Sequence, residues 1–448
     1  MALSGGRLTA SWRGKYKREF IVIDTQSFSS ASTASNPPWA AGDFSHVPYW
    51  LYTDPSVFAR ELDQLFYKGH WCYVGLEVEV PNPGDFKRTQ IGERSVVLVR
   101  DHDGQLNVIE NHCAHRGVQF CQQDFGRVEK RFVCPYHQWN YDLKGNLVGL
   151  PFRNGFRVKL DGETKINGGM PPDFDAKNHG LTQLKIATRG GVVFASFDHS
   201  VEPLESYLGE ILPWFDRIFH GPKLTLLGYS RQRIPGNWKL MLENIKDPYH
   251  PGLLHTWFVT FGLWRADQQS RMVLDKQGRH AAMISSRNDG GASAATQGVS
   301  SYKEGLKLGD DRVLDVVPEP WWNGPTVTML TLFPTLIIQQ QVNSLSTRHI
   351  MPVGPNAFDF VWTHFGFATD TPEMTRRRLR QANLFGPAGY VSADDGEVIE
   401  LSQQGFKQDA ANQTVVRLDG DEIKPTDHMV TETLIRGMYR YYRGVMKV

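Results

Sequence analysis

Up to about residue 45 the chain has no periodic apolar pattern. RLTASWRGKYKREF is basic, and SFSSASTASNPPWAAG is small, polar and proline-bearing. Neither contains the apolar run of a signal peptide, so residues 1–45 read as a flexible N-terminal extension. Regular patterning starts near Val47. DPSVFARELDQLFYKG puts Val57, Phe58, Leu62, Leu65 and Phe66 on one side at helical spacing. WCYVGLEVEV, RSVVLVRD and QLNVIEN follow as strands, YDLKGNLVGL as a hairpin turning at Lys144, Gly145 and Asn146, and GGVVFASFD as a buried strand. The strand-rich stretch predicts a small all-β domain over 60–188.

Beyond it, helices and longer strands mix. NWKLMLENIK has a helical pattern. TVTMLTLF, TLIIQQQVNSLSTRHIMPV and FDFVWTHFGFA read as antiparallel neighbours. TPEMTRRRLRQANLFG opens with Thr371 as N-cap and Pro372 in the first turn, and MVTETLIRGMYRYYRGVM closes the chain as an amphipathic helix. Residues 189–448 therefore form a second domain of class α+β, with 46–59 packing on it.

Composition narrows the class. At 448 residues and a formal charge of +1, the chain has core to spare and no basic field for nucleic acid. The longest apolar-rich run, Val327 to Ile338, contains Pro334 and falls short of the ~20 residues that span a bilayer. The four cysteines are too few for a disulfide-built secreted domain, so a reducing cytoplasm with a metal site is the expected setting.

Three of those cysteines crowd into CAHRGVQFCQQDFGRVEKRFVCPYHQW, Cys113 to Trp139. Structural zinc sites commonly pair cysteine with cysteine and histidine with histidine. Here each pair is mixed: Cys113 with His115, and Cys134 with His137. Two loops, each giving one thiolate and one imidazole, match a Rieske 2Fe–2S cluster, which takes thiolates on one iron and imidazoles on the other. Gly117 permits a tight loop, Pro135 stiffens the second one, and Trp139 can shield the cluster. Cys72 and Cys121 read as buried small apolar residues, and His112 as a surface or hydrogen-bonding residue.

The predicted domain of a cluster that passes single electrons, 60–188, is followed by 260 further residues, enough to consume them. GNWKLMLENIKDPYHPGLLH holds His250 and His255. On an unbroken helix they would lie about 140° apart, but Pro248 and Pro251 break the ladder and can let both face one ion. Two histidines and one carboxylate form the ligand set of non-haem ferrous oxygenases. Asp247 is too near to serve as the third ligand and is placed to hold an imidazole instead. GPAGYVSADDGE offers Asp394 or Asp395.

These motifs, C-x-H-R-G at 113–117, C-P-Y-H at 134–137, the NWK…EN..D.YH….H block and the late D-D-G-E, resemble the large (alpha) subunit of Rieske non-haem iron ring-hydroxylating oxygenases, from about Val47 to the C-terminus. The resemblance implies a small all-β Rieske domain and a helix-grip-like catalytic domain, a long antiparallel sheet packed by helices. It implies Cys113, His115, Cys134 and His137 as cluster ligands, His250, His255 and Asp395 as ligands of one mononuclear Fe(II), and Asp247 as the bridge that passes electrons between neighbouring subunits. It further implies electrons from NADH through a reductase and a ferredoxin, and a small beta subunit in an alpha3beta3 hexamer. Within the family, three stretches are most similar to salicylate-hydroxylating members and next to anthranilate-dioxygenating ones, so the implied substrates are O2 and an aromatic acid.

A carboxylate in an apolar pocket needs a cationic partner. Arg348 is the first candidate and Arg436 the second, while Gln339, Gln341 or Asn343 could orient a phenol. Trp257, Phe258 and Trp264 read as core. TRRRLRQ at 375–381 reads as a solvated face, with a ferredoxin-docking patch as the alternative.

Overall fold

The computed structural model describes residues 36–219, 221–265, 267–286 and 305–448. Most of the expected N-terminal extension, residues 1–35, lies outside them. Past Pro37, Trp39 is buried, meets the Tyr439 ring edge-on, and its carbonyl accepts from Arg443. His46–Pro48 pairs antiparallel with Gln413–Val415. After a single helical turn at Trp50–Thr53, the helix Pro55–Glu61 is capped by the Asp54 carboxylate on Ser56 N and continues as a wider turn over Leu62–Phe66. Glu61 on this helix is fully buried. It accepts from Trp238 Nε1 at 2.8 Å, Lys239 Nζ at 2.7 Å and the Tyr442 hydroxyl at 2.6 Å. Three donors around one carboxylate offset its desolvation and tie this segment to two helices of the second domain.

The cluster region is all β. A four-stranded antiparallel sheet runs Leu106–Glu110, Arg94–Arg100, Asp85–Ile91, Phe125–Arg127. Beside it lie a small sheet of Phe132–Val133, Asn140–Tyr141 and Leu147–Gly149, and a two-stranded ribbon of Phe156–Leu160 and Glu163–Asn167. A third sheet joins Lys185–Arg189, Val192–Ser196 and Cys72–Leu76. The division expected at 188/189 thus falls inside a hairpin. Val192–Ser196 pairs back onto Cys72–Leu76 and belongs with the β region in its hydrogen bonding.

The second region is built on a seven-stranded antiparallel sheet, in the order Leu224–Ile234, Phe358–Phe367, Ser344–Pro352, Leu336–Gln341, Val327–Leu332, Ala281–Ser285, Ser270–Leu274. The run TLIIQQQVNSLSTRHIMPV is two strands. A tight turn at Val342, whose φ is +47°, folds Leu336–Gln341 back on Ser344–Pro352. Nearly continuous burial on both faces hides that turn in the sequence. Alternation divides the sheet between two cores: Ile337, Met329 and Ile350 join the cluster that holds Trp238, Met241 and Ile245, whereas Ile338, Leu330 and Leu345 join the one that holds Tyr207, Phe215 and Phe219. Helices Trp238–Lys246, Ser392–Gln408 and Thr433–Met446 contribute to the first of these cores. Among the described residues, no helix is long and apolar enough to cross a membrane.

Candidate active site

The two cluster loops are near copies of one another. In each, the cysteine carbonyl accepts from the residue four positions on, Gly117 N at 2.8 Å and Gln138 N at 3.0 Å, and that residue has a positive φ. In each, the cysteine N–H bonds the carbonyl five positions on, at Val118 and Trp139. Gly117 is required sterically as well, since a Cβ there would stand 2.7 Å from His112 Nε2. His112 itself is exposed.

Cys113 and Cys134 are buried while His115 and His137 lie nearer the surface. Burial, and then the neighbouring Cys113 thiol, push the Cys134 thiol up. Tyr141 points its hydroxyl at Cys113 Sγ, 3.2 Å away. The two imidazoles stand 4.6 Å apart, centre to centre, and His115 stacks on Trp139 at 4.8 Å. His137 Nδ1 is buried with no protein partner, an atom left over for a metal. Among the described residues, no three of these four ligand atoms converge within 4.8 Å, as one tetrahedral zinc would demand. A sulfur pair and an imidazole pair fit two irons. Cys72 and Cys121 are buried, their thiols pushed up by burial to about 12 and about 11.

The second site lies where the Trp238–Lys246 helix stops. The chain breaks at Asp247–Tyr249 and makes a single turn, Pro251–Leu254, with His250 at its N-cap and His255 at its C-cap. The histidines meet because they flank that short turn, not because a continuous helix is distorted. Gly252 in the turn lets Trp264 pack directly on it; a Cβ would fall 2.3 Å from the ring. Trp264 Nε1 donates to the Pro248 carbonyl at 3.1 Å.

Asp395, from the Ser392–Gln408 helix, brings Oδ1 to 3.4 Å from His250 Nε2 and 3.3 Å from His255 Nε2. The three ligand atoms lie within 4.8 Å of one another, a spacing that suits one ion bound by two imidazoles and a carboxylate. Burial opposes a charge on His250, yet Asp247 and Asp395 outweigh it and push the imidazole up to about 10. Burial would also raise Asp395, but the two histidines hold it well below the usual carboxylate range. The pocket thus favours a cation at its centre.

Asp247 meets His250 differently from the expected side-chain contact. Its carbonyl lies 2.8 Å from His250 Nδ1, while its carboxylate is 3.7 Å away and accepts from the Tyr249 and His250 backbone N–H groups. Two contacts had no reading in the sequence. Asn244 donates to Asp395 Oδ1 at 3.1 Å, and Asp394 Oδ2 stands 3.1 Å from His255 Nδ1. The doubled acid was the available signal for the second.

The space around the triad, mouth included, measures ≈ 580 Å³. Phe258 and Trp264, expected in the core, line it, together with Leu263, Met283, Met329 and Met429. Trp257 packs in the neighbouring apolar cluster. Arg348 and Gln341 also face this space. Arg348 is buried, lies 4.0 Å over the Trp362 ring, and donates to Gln339, whose amide donates on to Gln341. No carboxylate pairs with Arg348 among the described residues, and its Nε has no partner. Burial pulls it down to about 9, against the attraction of Asp395, so it is still charged at neutral pH.

Arg436 is not brought to the cavity. It is fully buried elsewhere and donates to the carbonyls of Val416, Leu418 and Glu422, a structural clamp. Asn343 faces away as well, bonding Val317 and Glu319. In TRRRLRQ the arginines are engaged by acids: Arg376 and Arg380 by Glu373, Arg377 by Asp315, Arg378 by Glu319 and Asp370.

Comparison with known proteins identifies the two domains that carry these residues. Residues 70–159 match the Rieske [2Fe-2S] domain, and 221–447 the ring hydroxylating alpha subunit (catalytic domain). The chain is 65% identical to the salicylate 5-hydroxylase large oxygenase component of Ralstonia sp, over 92% of this chain and 96% of that protein. It is 41% identical to the anthranilate 1,2-dioxygenase large subunit of Burkholderia cepacia, over 94% and 97%. A naphthalene 1,2-dioxygenase from Rhodococcus sp., solved with bound indole, shares the fold at a TM-score of 0.74 and 22% identity, covering 90% of this chain and 94% of that one. With its paired cluster loops and its two-histidine, one-carboxylate site, the chain belongs to the alpha subunits of the ring-hydroxylating oxygenases, which use a Rieske 2Fe–2S cluster and a mononuclear iron.

Proposed function

We propose that the substrate is a monocyclic aromatic acid, with salicylate hydroxylated at position 5 to gentisate as the best reading. The observation that carries it is Arg348: a buried, charged guanidinium without a carboxylate partner, facing the same cavity as the iron triad. A buried unpaired cation is costly, and an incoming carboxylate relieves that cost while gaining a directed partner. The 65% identity to a salicylate 5-hydroxylase component supports the choice of acid.

When bound, the mononuclear iron supplies dioxygen activation and the cluster supplies electrons one at a time. The chain's own residues do the rest. Arg348 grips the carboxylate, and Gln339 holds the guanidinium in place. Phe258, Trp264 and the methionines Met283, Met329 and Met429 give the ring apolar walls and exclude water, so that the ring is held close to the triad. Asp247 buttresses His250 from the side away from the ligand atoms and is the bridge to a neighbouring subunit's cluster. That role calls for a ring of alpha subunits, which with small beta subunits makes an alpha3beta3 assembly fed by NADH through a reductase and a ferredoxin.

The test is a product assay. The chain, its small subunit, a ferredoxin, a reductase, NADH and oxygen are given salicylate or anthranilate. Gentisate from salicylate is the expected outcome. Catechol from anthranilate, with salicylate untouched, would make the chain a dihydroxylating enzyme and overturn the substrate assignment.

A further inference from the structure

The two iron-binding histidines are held from behind by different groups. His250 Nδ1 faces the Asp247 carbonyl at 2.8 Å, with the Asp247 carboxylate farther off at 3.7 Å. His255 Nδ1 faces a carboxylate, Asp394 Oδ2, at 3.1 Å. Asp394 and Asp395 are neighbours in the first turn of the Ser392–Gln408 helix, yet they address opposite nitrogens of the same ring: Asp395 lies 3.3 Å from His255 Nε2. Consecutive helical positions diverge by about 100°, which lets one carboxylate enter the ligand cluster while the other reaches round to the back. Their burial differs in the same sense. The Asp395 side chain is 5% exposed and that of Asp394 is 40% exposed, so Asp394 reaches the back of the ring from the solvent side.

We propose that Asp394 is the positioning residue for His255. Its carboxylate accepts the Nδ1 proton, fixes the ring in the tautomer whose Nε2 lone pair points at the metal position, and makes that nitrogen a stronger donor. A carboxylate does this more strongly than the carbonyl behind His250, so the two histidines are unequal ligands. The paired acids therefore have separate tasks, one in the ligand cluster and one behind it. An acid in a helix's first turn also complements the helix dipole, and the test must separate that purely structural role.

Ferrous iron is titrated into the full chain in competition with a chelator, for wild type and for Asp394→Ala, Asp394→Asn and Asp394→Glu, without substrate. The Rieske EPR signal of the same chain reports that each variant is folded. Asp394→Ala is expected to weaken iron binding by about 10–100-fold. Asp394→Asn should lose less, because its amide oxygen still accepts the Nδ1 proton, and Asp394→Glu should stay nearest to wild type. With nitric oxide added to the ferrous samples, the alanine variant should show a broadened or split iron EPR signal, as a ring free to change tautomer would produce. Wild-type affinity and an unchanged signal in the alanine variant would overturn the proposal, whatever happens to its melting temperature. If the alanine variant loses its Rieske signal, the asparagine variant decides, and wild-type affinity there overturns it. Failure of the salicylate assay does not bear on either readout.

Discussion

The cluster loops draw all four proposed ligands from residues 113–137, whereas the proposed iron triad takes two histidines from one broken helix and its carboxylate from another that starts at Ser392. Each cluster loop closes on itself through two backbone hydrogen bonds and a positive-φ residue, so it carries its geometry with it. The triad has no such autonomy. It exists only while the Ser392–Gln408 helix is seated against the Trp238–Lys246 helix and the sheet behind both. Local chelation resists damage elsewhere in the molecule, and a site assembled by tertiary packing does not.

The largest effect should come from deleting a ligand in each region. His255→Ala is expected to abolish turnover and lower iron content from about three to about two atoms per chain, while the Rieske EPR and visible bands persist. His137→Ala should remove the cluster bands and leave mononuclear iron binding largely intact. If His255→Ala also bleaches the cluster, the two regions are not independent.

Next in size is Arg348→Gln. Losing one partner of a buried charge pair costs about 2–5 kcal/mol, or roughly 30-fold to several-thousand-fold in kcat/KM for an aromatic acid. Neither metal should be lost. A neutral analogue without the carboxylate should lose far less between wild type and variant, and an equal loss for both would assign Arg348 to the scaffold.

Asp247→Ala follows. On the proposed bridging role, both metals should stay bound and steady-state turnover should drop by about 10–100-fold or more. Single-turnover chemistry of a fully reduced sample compared with steady-state rate localises the defect: if both fall in step, Asp247 acts on the iron ligand alone.

Legibility in the sequence followed the same division. The C-x-H and C-x2-H spacings state the cluster outright, because its ligands are neighbours in the chain. The triad could be completed only by resemblance, since no spacing says which distant acid a packed helix will deliver; residue type leaves Asp394 and Asp395 open, the resemblance implies Asp395, and the geometry gives each a different nitrogen. The sequence ranks Arg348 ahead of Arg436 without excluding either. What separates them is whether carbonyls or an open cavity lie in front of the guanidinium, and that depends on tertiary contacts. The three strands Leu224–Ile234, Ser270–Leu274 and Ala281–Ser285 went unread, the first because Ser230, Arg231, Gln232 and Arg233 obscure its apolar content.

The smallest effect concerns the seam between the two regions. His349 is the strand neighbour of Arg348 but projects to the other face of the sheet, into a cleft it shares with Tyr73 and Lys87 of the cluster region. Burial pulls it down to about 3 from an ordinary value near 6.5, with Lys87 adding to the shift. The unfolded chain therefore takes up a proton at pH values where the folded chain does not. This contribution is at its full value above pH 6.5 and is lost as pH falls from about 6.5 towards 3, at a limiting slope of about 1.4 kcal/mol per pH unit. Replacing His349 with Gln should remove one proton from the acid dependence of the unfolding midpoint without changing either metal's content at neutral pH. An unaltered acid slope in that variant would mean that the seam opens to water and protonates His349 before the sheet unfolds, in which case the two regions separate first and melt afterwards.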